Sequence, residues 1–389
     1  MKILFILDEF LPEDSSGTTI VAFNLARGLI KKGHELLVLT ATHDPDNERE
    51  MAIDNVNIKV LFTKPFGKFR NWKNWKNNSL LTKTETFLEY FKPDIVHIHA
   101  LHHRFSWGII GLAKKYAMVF LTLHDAQAVY NGKLYPKRKI CNLDPVINYK
   151  VSRFDSFRKD GLAYNPLQKN LIKKSLKKAD KIFAVSHALK QALEVNGIQN
   201  METIHNGIDA SEWSGKAGEE GYILLAGRID NAKGLSVLLQ AFEIVRTKVE
   251  DAKLTLVGGY ENIKQKNVII LPWQSRSEMK KIFENSKIVV VPSIYLDPFP
   301  TVNLEAMACK KPVVATCFGG SREVVLDGKT GYIVNPYNTD ELANKIIDLL
   351  KNPEKAKQFG EAGHERIKSE FNLEKMTNDY LYWYNIQKE

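Results

Sequence analysis

"KIVVVPSIYLDPFPTVNLEAMACKKPVVA", residues 287–315, decides the fold. It opens on a β-branched run, KIVVV (287–291), and closes on a second, PVVA (312–315). Neither run alternates apolar with polar residues, which is the pattern of parallel strands covered on both faces. Between them Pro298 and Pro300 forbid continuation of the first strand, and Pro300 suits the first turn of a helix. Strand, break, helix and strand make one parallel crossover. The stretch also sets Asp297 and Glu305 eight residues apart across the break. The amides of Thr301, Val302 and Asn303 are expected to stand unpaired at the carboxyl end of a buried strand, which suits a phosphate. Asp297 then hangs in the loop before the helix and Glu305 lies about one turn inside it. Both can accept hydrogen bonds from hydroxyls of one ligand. In the plainer reading Asp297 caps the helix and Glu305 complements its dipole. Spacing alone favours the plainer reading, because acidic residues in a helix's first turn are common.

The same pattern extends in both directions. KILFIL (2–7), ELLVLT (35–40), DIVHIH (94–99), MVFLTL (118–123) and KIFAV (181–185) read as buried strands. So do YILLA (222–226), KLTLV (253–257), NVIIL (267–271) and GYIV (331–334). Helix-like segments fall between strands, at 19–33, 106–116, 187–196, 235–250 and 339–351. The series runs twice, so the fold class is α/β with two Rossmann-like, doubly wound domains. A length of 389 residues exceeds one ordinary core. The expected boundary lies near residue 200, giving domains 1–199 and 200–371. Residues 372–389, rich in Tyr and Trp, read as a last helix packing back on the first domain. Two such halves leave a cleft at the carboxyl ends of their strands, where ligands bind in sheets of this kind.

Composition excludes several classes. No stretch approaches the ~18 apolar residues that span a bilayer. In "MKILFILDEF" the apolar run covers only Ile3 to Leu7 before Asp8 and Glu9, so a buried strand is expected rather than a signal peptide. Cys141, Cys309 and Cys317 show no paired spacing, which fits a reducing cytoplasm and neither a disulfide framework nor a zinc site. The net charge of +10 is uneven: roughly +12 over residues 1–200 and roughly −2 over the rest. The basic half is expected to face an anionic partner.

Other stretches carry candidate chemistry. In "AGRIDNAKG" (226–234), Arg228 and Lys233 follow a strand and suit a diphosphate, or form a solvated basic turn. "SSGTT" (15–19) sets Gly17 at a strand-to-helix turn, where a backbone can approach a ligand closely. It is not the dinucleotide fingerprint. "TLHDA" (122–126) ends a strand with His124 and Asp125, a pair for a sugar hydroxyl or a structural contact. "HIHALHH" (97–103) puts His97 and His99 on one strand face, with His102 and His103 on a loop; no metal site is expected there. "DPD" (44–46) reads as a turn. "KPFGKFRNWKNWKNNSLLTK" (64–83) interleaves basic residues with Phe66, Phe69, Trp72 and Trp75. Together with the basic run from Lys133 to Lys181, that suits a lipid interface, single-stranded nucleic acid, or a plain loop with its Trp residues in the core.

These residues, taken as an ordered set, resemble glycosyltransferase family 4 (GT4), retaining enzymes that use nucleotide sugars and have the GT-B fold. The blocks are "GHELLVLT" (33–40), "PDIVHIHA" (93–100), "SHALKQAL", "HNGID", "GRIDNAKG", "VPSIYLDPFPTVNLEAMACKKPVVAT" and "GGSREVVLDGKTGYIV". The resemblance implies two Rossmann-like domains facing each other across a cleft, and sugar transfer with retention. It implies that Arg228 and Lys233 hold the donor diphosphate with the amides near Thr301 and Val302. Glu305 matches the ribose-binding Glu of the E-x7-E motif, and Asp297 the first position, which contacts the donor sugar. Gly17 lies by the donor phosphates, His124 near the sugar, and Gly258 with Pro272 and Trp273 lines the base and ribose pocket. Three positions depart from the pattern. Asp297 stands where Glu is usual, Pro300 and Thr301 where Gly-Leu is common, and "SSGT" has one Gly where two are usual.

The resulting expectation is a glycosyltransferase of the hexosyltransferase kind, cytoplasmic and peripheral at the inner face of a membrane. It would need no cofactor and no metal, because cations and amide dipoles stabilise the departing diphosphate. Its partners would be a nucleotide-sugar donor, a glycan or lipid-linked acceptor and an anionic membrane surface, not nucleic acid. A nucleotide-sugar epimerase of the same fold and a catalytically weak sugar-nucleotide-binding protein are the alternatives.

Overall fold

The computed structural model describes residues 1–389 except 69, 75, 102, 138–146, 214–220, 260–262 and 387–389. The chain divides into two units. The first holds Met1–Gly132, Lys150–His205 and Leu373–Glu389, and the second Lys133–Tyr149 and Asn206–Asn372. This differs from a single break at 199/200 in two ways. Strand Met201–Thr203 completes the first sheet, which moves the boundary beyond it. Residues 133–149 leave the first unit to pack with the second.

The first unit has eight strands: β1 (Lys2–Leu7), β2 (Glu35–Thr42), β3 (Arg49–Ile53), β4 (Val56–Phe62), β5 (Ile95–Ala100), β6 (Met118–Leu123), β7 (Lys181–Ala184) and β8 (Met201–Thr203). Their order is β3-β4-β2-β1-β5-β6-β7-β8, and only the β3–β4 pair is antiparallel. Helix Gly17–Lys31 follows β1. Helix Leu373–Ile386 crosses it where Gly28 leaves no room for a side chain: a Cβ there would lie 2.3 Å from the Thr377 hydroxyl. Met376, Tyr380 and Tyr384 of the last helix join the core of this unit with Phe5, Phe120 and Phe183.

The second unit has six parallel strands: β9 (Tyr222–Ala226), β10 (Leu254–Val257), β11 (Val268–Leu271), β12 (Ser286–Val291), β13 (Val313–Thr316) and β14 (Gly331–Val334). Their order is β11-β10-β9-β12-β13-β14. The chain therefore winds outward from β9 to β11, returns to the centre at β12, and winds the other way. The reversal lies between β9 and β12, and loops leaving the carboxyl ends of these two strands flank it. Val290 and Ile288 of β12 pack with Leu225, Leu256 and Val314 from neighbouring strands beneath helix Leu235–Lys248.

Some expectations need correction. Residues 78–91, partly inside the stretch read as a loop, form a helix capped by the Asn77 side chain on the Leu80 amide. Trp72 lies on the short helix Arg70–Lys73 and is half exposed, so it is not a core residue. Phe69, Trp75, His102 and Cys141 lie outside the described residues. Cys309 and Cys317 are buried free thiols. "DPD" is a turn: Asp44 accepts from the Asp46 amide and the Asn47 side chain. Among the described residues no helix is long and apolar enough to cross a membrane.

Candidate active site

Arg228 and Lys233 leave the end of β9, and Asp297, Thr301, Val302 and Glu305 follow β12. The two loops flank the switch point and are joined. The Ile294 amide donates to the Ala232 carbonyl at 2.8 Å. Gly234 (φ +82°) abuts the Pro292 carbonyl so closely that a Cβ would lie 2.0 Å from its oxygen. That contact, with the left-handed backbone, is why glycine closes the turn.

The Lys233 ammonium meets the Asp297 carboxylate at 2.7 Å, and the Ser293 hydroxyl donates to the same oxygen at 2.8 Å. Asp297 is buried at 4% exposure. Burial opposes the charge on Lys233, but Asp297 and Tyr295 outweigh it, and the pKa rises above the lysine range. Asp297 is held from behind as well. Its carbonyl accepts from the Gly320 amide at 2.9 Å, and a Cβ on Gly319 would fall 2.1 Å from that oxygen. Tyr295 lies beneath two ammonium groups, Lys233 at 5.7 Å and Lys133 at 5.2 Å from its ring centre. Lys133 pairs with Asp230, whose other carboxylate oxygen caps the Lys233 amide at 2.9 Å. Leu296 donates its amide to Leu134 at 2.8 Å, so residues 133–135 brace both loops.

Arg228 is exposed and makes no ion pair or hydrogen bond among the described residues. A guanidinium with no partner among the described residues, on the loop that also carries Lys233, leaves this strand end able to accept an anion.

Helix Thr301–Ala308 begins after Pro300, which is its N-cap and not its first helical residue. The Asn303 amide donates to the Pro300 carbonyl at 3.1 Å, so the expectation of three unpaired amides becomes two, Thr301 and Val302. Glu305 points back along this helix toward Thr301. Burial raises its pKa to about 7, against the opposing influence of Arg276 and the Thr301 hydroxyl. Arg276 also holds Glu212 at 2.5 Å and stacks over Trp213 at 5.4 Å.

The loops after β10 and β11 complete this edge. Gly258 (φ +104°) follows β10, and a Cβ there would lie 2.4 Å from the Gly227 oxygen and 3.2 Å from the Trp273 ring. Trp273, next to Pro272, is half exposed. Gly258, Gly227 and Trp273 are thus brought together at the ends of β9, β10 and β11. The second unit collects nine of the expected positions along one sheet edge: Arg228, Lys233, Gly258, Pro272, Trp273, Asp297, Thr301, Val302 and Glu305.

Gly17 and His124 belong to the first unit. Gly17 is the first residue of its helix, next to a loop in which Asp14 accepts from the Ser16 hydroxyl at 2.6 Å and from the Thr19 hydroxyl. His124 follows β6, and its Nε2 lies 3.2 Å from Nδ1 of His99. His99 stacks on His97 at 4.1 Å, and burial holds both imidazoles far below their usual pKa, neutral. His97 is tied to the Thr122 and Tyr384 hydroxyls, and Nε2 of His99 is buried without a partner among the described residues. Asp8, at the end of β1, accepts from the amides of His103, Arg104 and Phe105.

Sequence reasoning missed Ser293, Tyr295, Lys133, Asp230 and Arg276. Ser293 and Tyr295 lie inside the opening stretch, but a lone hydroxyl and a lone ring give no periodic signal. Lys133 and Asp230 are 97 residues apart, beyond any local pattern. Arg276 follows Ser275 in a capping box with Glu278, a signal that reads only as a helix start.

Two doubly wound parallel units, the second bearing cations and helix amides at its switch point, define a glycosyltransferase of the GT-B class. Residues 15–212 match the family described as Glycosyltransferase Family 4, and residues 209–366 match Glycosyl transferases group 1. The chain belongs to glycosyltransferase family 4 and is a glycosyltransferase. An uncharacterized glycosyltransferase of Methanocaldococcus jannaschii is 26% identical over 372 residues, covering 90% of this chain and 89% of that one. N-acetyl-alpha-D-glucosaminyl L-malate synthase of Bacillus anthracis is 29% identical over 251 residues, 59% of this chain and 65% of its own. Among solved structures, sucrose-phosphate synthase of Thermosynechococcus elongatus superposes with a TM-score of 0.76 at 18% identity, covering 99% of this chain and 98% of that one. HepE of Anabaena, solved with UDP, superposes with a TM-score of 0.70 at 17% identity, covering 98% and 99%.

Proposed function

We propose that the enzyme transfers a sugar, with retention at the anomeric carbon, from a nucleotide-sugar donor to a glycan or lipid-linked acceptor. The observation that carries this reading is the joining of Arg228, Lys233 and the Thr301 and Val302 amides at one switch point, with Glu305 one turn along the same helix. Negative charge gathers on the diphosphate as the glycosidic bond breaks. Two cations and two fixed amide dipoles stabilise that charge without reorganising, so transfer proceeds without a metal cofactor. Glu305 accepts from the ribose hydroxyls when ionised. Asp297, fixed by Lys233, Ser293 and the Gly319–Gly320 turn, faces the sugar. Gly258, Pro272 and Trp273 form the wall for the base.

The roles given to Gly17 beside the phosphates and to His124 beside the sugar rest on the family resemblance. Departure of the diphosphate and arrival of the acceptor hydroxyl on the same face, through an ion-pair-like transition state, give retention without a covalent intermediate. The relative in Bacillus anthracis, named as an N-acetyl-alpha-D-glucosaminyl L-malate synthase, supports sugar transfer to a hydroxyl-bearing acceptor.

The test is turnover of a panel of nucleotide sugars in the presence of a chelator, with and without acceptor extracts. Expected is acceptor-dependent release of nucleoside diphosphate. Epimerised donor formed without acceptor, turnover only with added metal, or a glycosyl group trapped on Asp297 contradicts the reading.

A further inference from the structure

Outside the site, the first unit exposes several large apolar side chains on adjoining elements. Phe154 and Phe157 lie three residues apart on helix Arg153–Asp160, with 70% and 52% of their surfaces open. At this spacing they share a helix face. Leu162, in the turn directly after the helix, is 94% exposed, and Leu167 59%. Trp72, 48% exposed, lies on helix Arg70–Lys73, which packs against the turn at 161–163. The Asn165 side chain donates to the Asn71 carbonyl at 2.9 Å and fixes that junction. Single exposed apolar residues need no explanation, but five large ones on adjoining elements do.

The charges around them are nearly all of one sign. Residues 147–178 carry nine Lys or Arg and two Asp. Both Asp carboxylates are engaged locally, Asp155 in the capping box with Ser152 and Asp160 with the Asn131 side chain. Arg153, Arg158, Lys159, Lys174 and Lys177 are exposed and make no ion pair among the described residues. The helix Arg153–Asp160 thus presents two aromatic rings beside cations, with an open leucine at its end. A protein partner would need matching acidic residues and a shaped apolar pocket. A bilayer needs neither, because anionic headgroups meet the cations and the acyl boundary takes the rings.

We infer that this surface, Trp72, Phe154, Phe157, Leu162 and Leu167 with their basic rim, docks the enzyme on an anionic lipid bilayer. The docking does not depend on the donor chemistry proposed above. It makes the lipid interface a matter of residues 150–178 more than of the aromatic stretch at 64–83.

The experiment is co-sedimentation of the full-length protein with vesicles of phosphatidylcholine and phosphatidylglycerol, and with phosphatidylcholine alone. Expected is partition into the anionic vesicles, weakened by added salt. Phe154→Ser/Phe157→Ser/Leu162→Ser is expected to lower the partition coefficient about tenfold or more. Arg158→Glu/Lys159→Glu is expected to bring anionic vesicles down to the level of neutral ones. The inference is overturned if the wild-type protein ignores both vesicles, if the triple variant binds like wild type, or if the charge variant does. It is equally overturned if the wild type dimerises in solution and the triple variant is monomeric, because the face then belongs to a second copy. Donor turnover in the same samples separates the two claims. Vesicle binding without turnover supports the docking surface and contradicts only the chemistry.

Discussion

Lys233 and Asp297 form an ion pair of 2.7 Å between loops that leave β9 and β12, the two strands on either side of the switch point. The pair sets the cation proposed to hold the diphosphate against the carboxylate proposed to face the donor sugar. Because Asp297 is buried, removing its charge strands a mostly buried ammonium. Asp297→Asn is expected to cost about 3 kcal/mol of unfolding free energy, read by urea denaturation. Lys233→Ala is expected to lower kcat/KM for the donor by about a hundredfold or more.

Arg228 behaves differently because no described residue pairs with it. Arg228→Ala is expected to leave the unfolding free energy within about 0.5 kcal/mol of wild type. Affinity for a nucleoside diphosphate should drop by about tenfold or more, measured by calorimetric titration. A large loss of stability would show that the guanidinium is structural.

Glu305 titrates near neutrality, and the sign of its effect differs between stability and binding. Its pKa rises from 4.5 to about 7 on folding because burial disfavours the carboxylate. The stability it contributes is therefore fully present below about 4.5 and is lost as pH rises through about 7. Under the proposed ribose contact, nucleotide binding runs the other way, since an ionised carboxylate is the better acceptor for the ribose hydroxyls. Affinity should climb with pH through about 7 in the wild type. Glu305→Gln should flatten both profiles, and a profile unchanged in the variant assigns the titration elsewhere.

Gly319 tests how firmly the site is held from behind. Its φ of +83° and its 2.1 Å clearance to the Asp297 oxygen leave no room for a Cβ. Gly319→Ala is expected to cost about 2 kcal/mol or more and to reduce donor turnover, although residue 319 has no part in the chemistry. Denaturation and turnover should fall together.

His99 is a neutral, buried partner of His124 at 3.2 Å. His99→Phe keeps the ring volume and removes the nitrogen that positions His124. The expected result is about a tenfold fall in kcat with little change in donor KM.

The sequence carried the sheets well because their strands are short β-branched runs. MVFLTL, YILLA and GYIV coincide with β6, β9 and β14. It missed β3 and β4. These pair through Asp54 and Asn55, both with positive φ, a two-residue hairpin signal that the polar stretch REMAI hides. Helix Pro353–Glu370 was missed because it buries few residues and lacks a broad apolar stripe. The gathering of Arg228, Lys233, Asp297 and Glu305 at the ends of β9 and β12 was legible because glycines, prolines and charges mark those strand ends. The brace from Lys133 to Asp230 and the packing of Gly319 behind Asp297 were not, since both depend on chain segments brought together only by folding. The departure of residues 133–149 to the second unit has no local signal in the sequence.

The most direct test compares binding of a nucleoside diphosphate with that of the bare nucleoside, by calorimetry, in the wild type and in Arg228→Ala/Lys233→Ala. The account predicts a strong preference for the diphosphate in the wild type and nearly equal binding of the two ligands in the double variant. A double variant that keeps the wild-type preference would contradict the claim that the carboxyl edge of β9 and β12 holds the departing diphosphate.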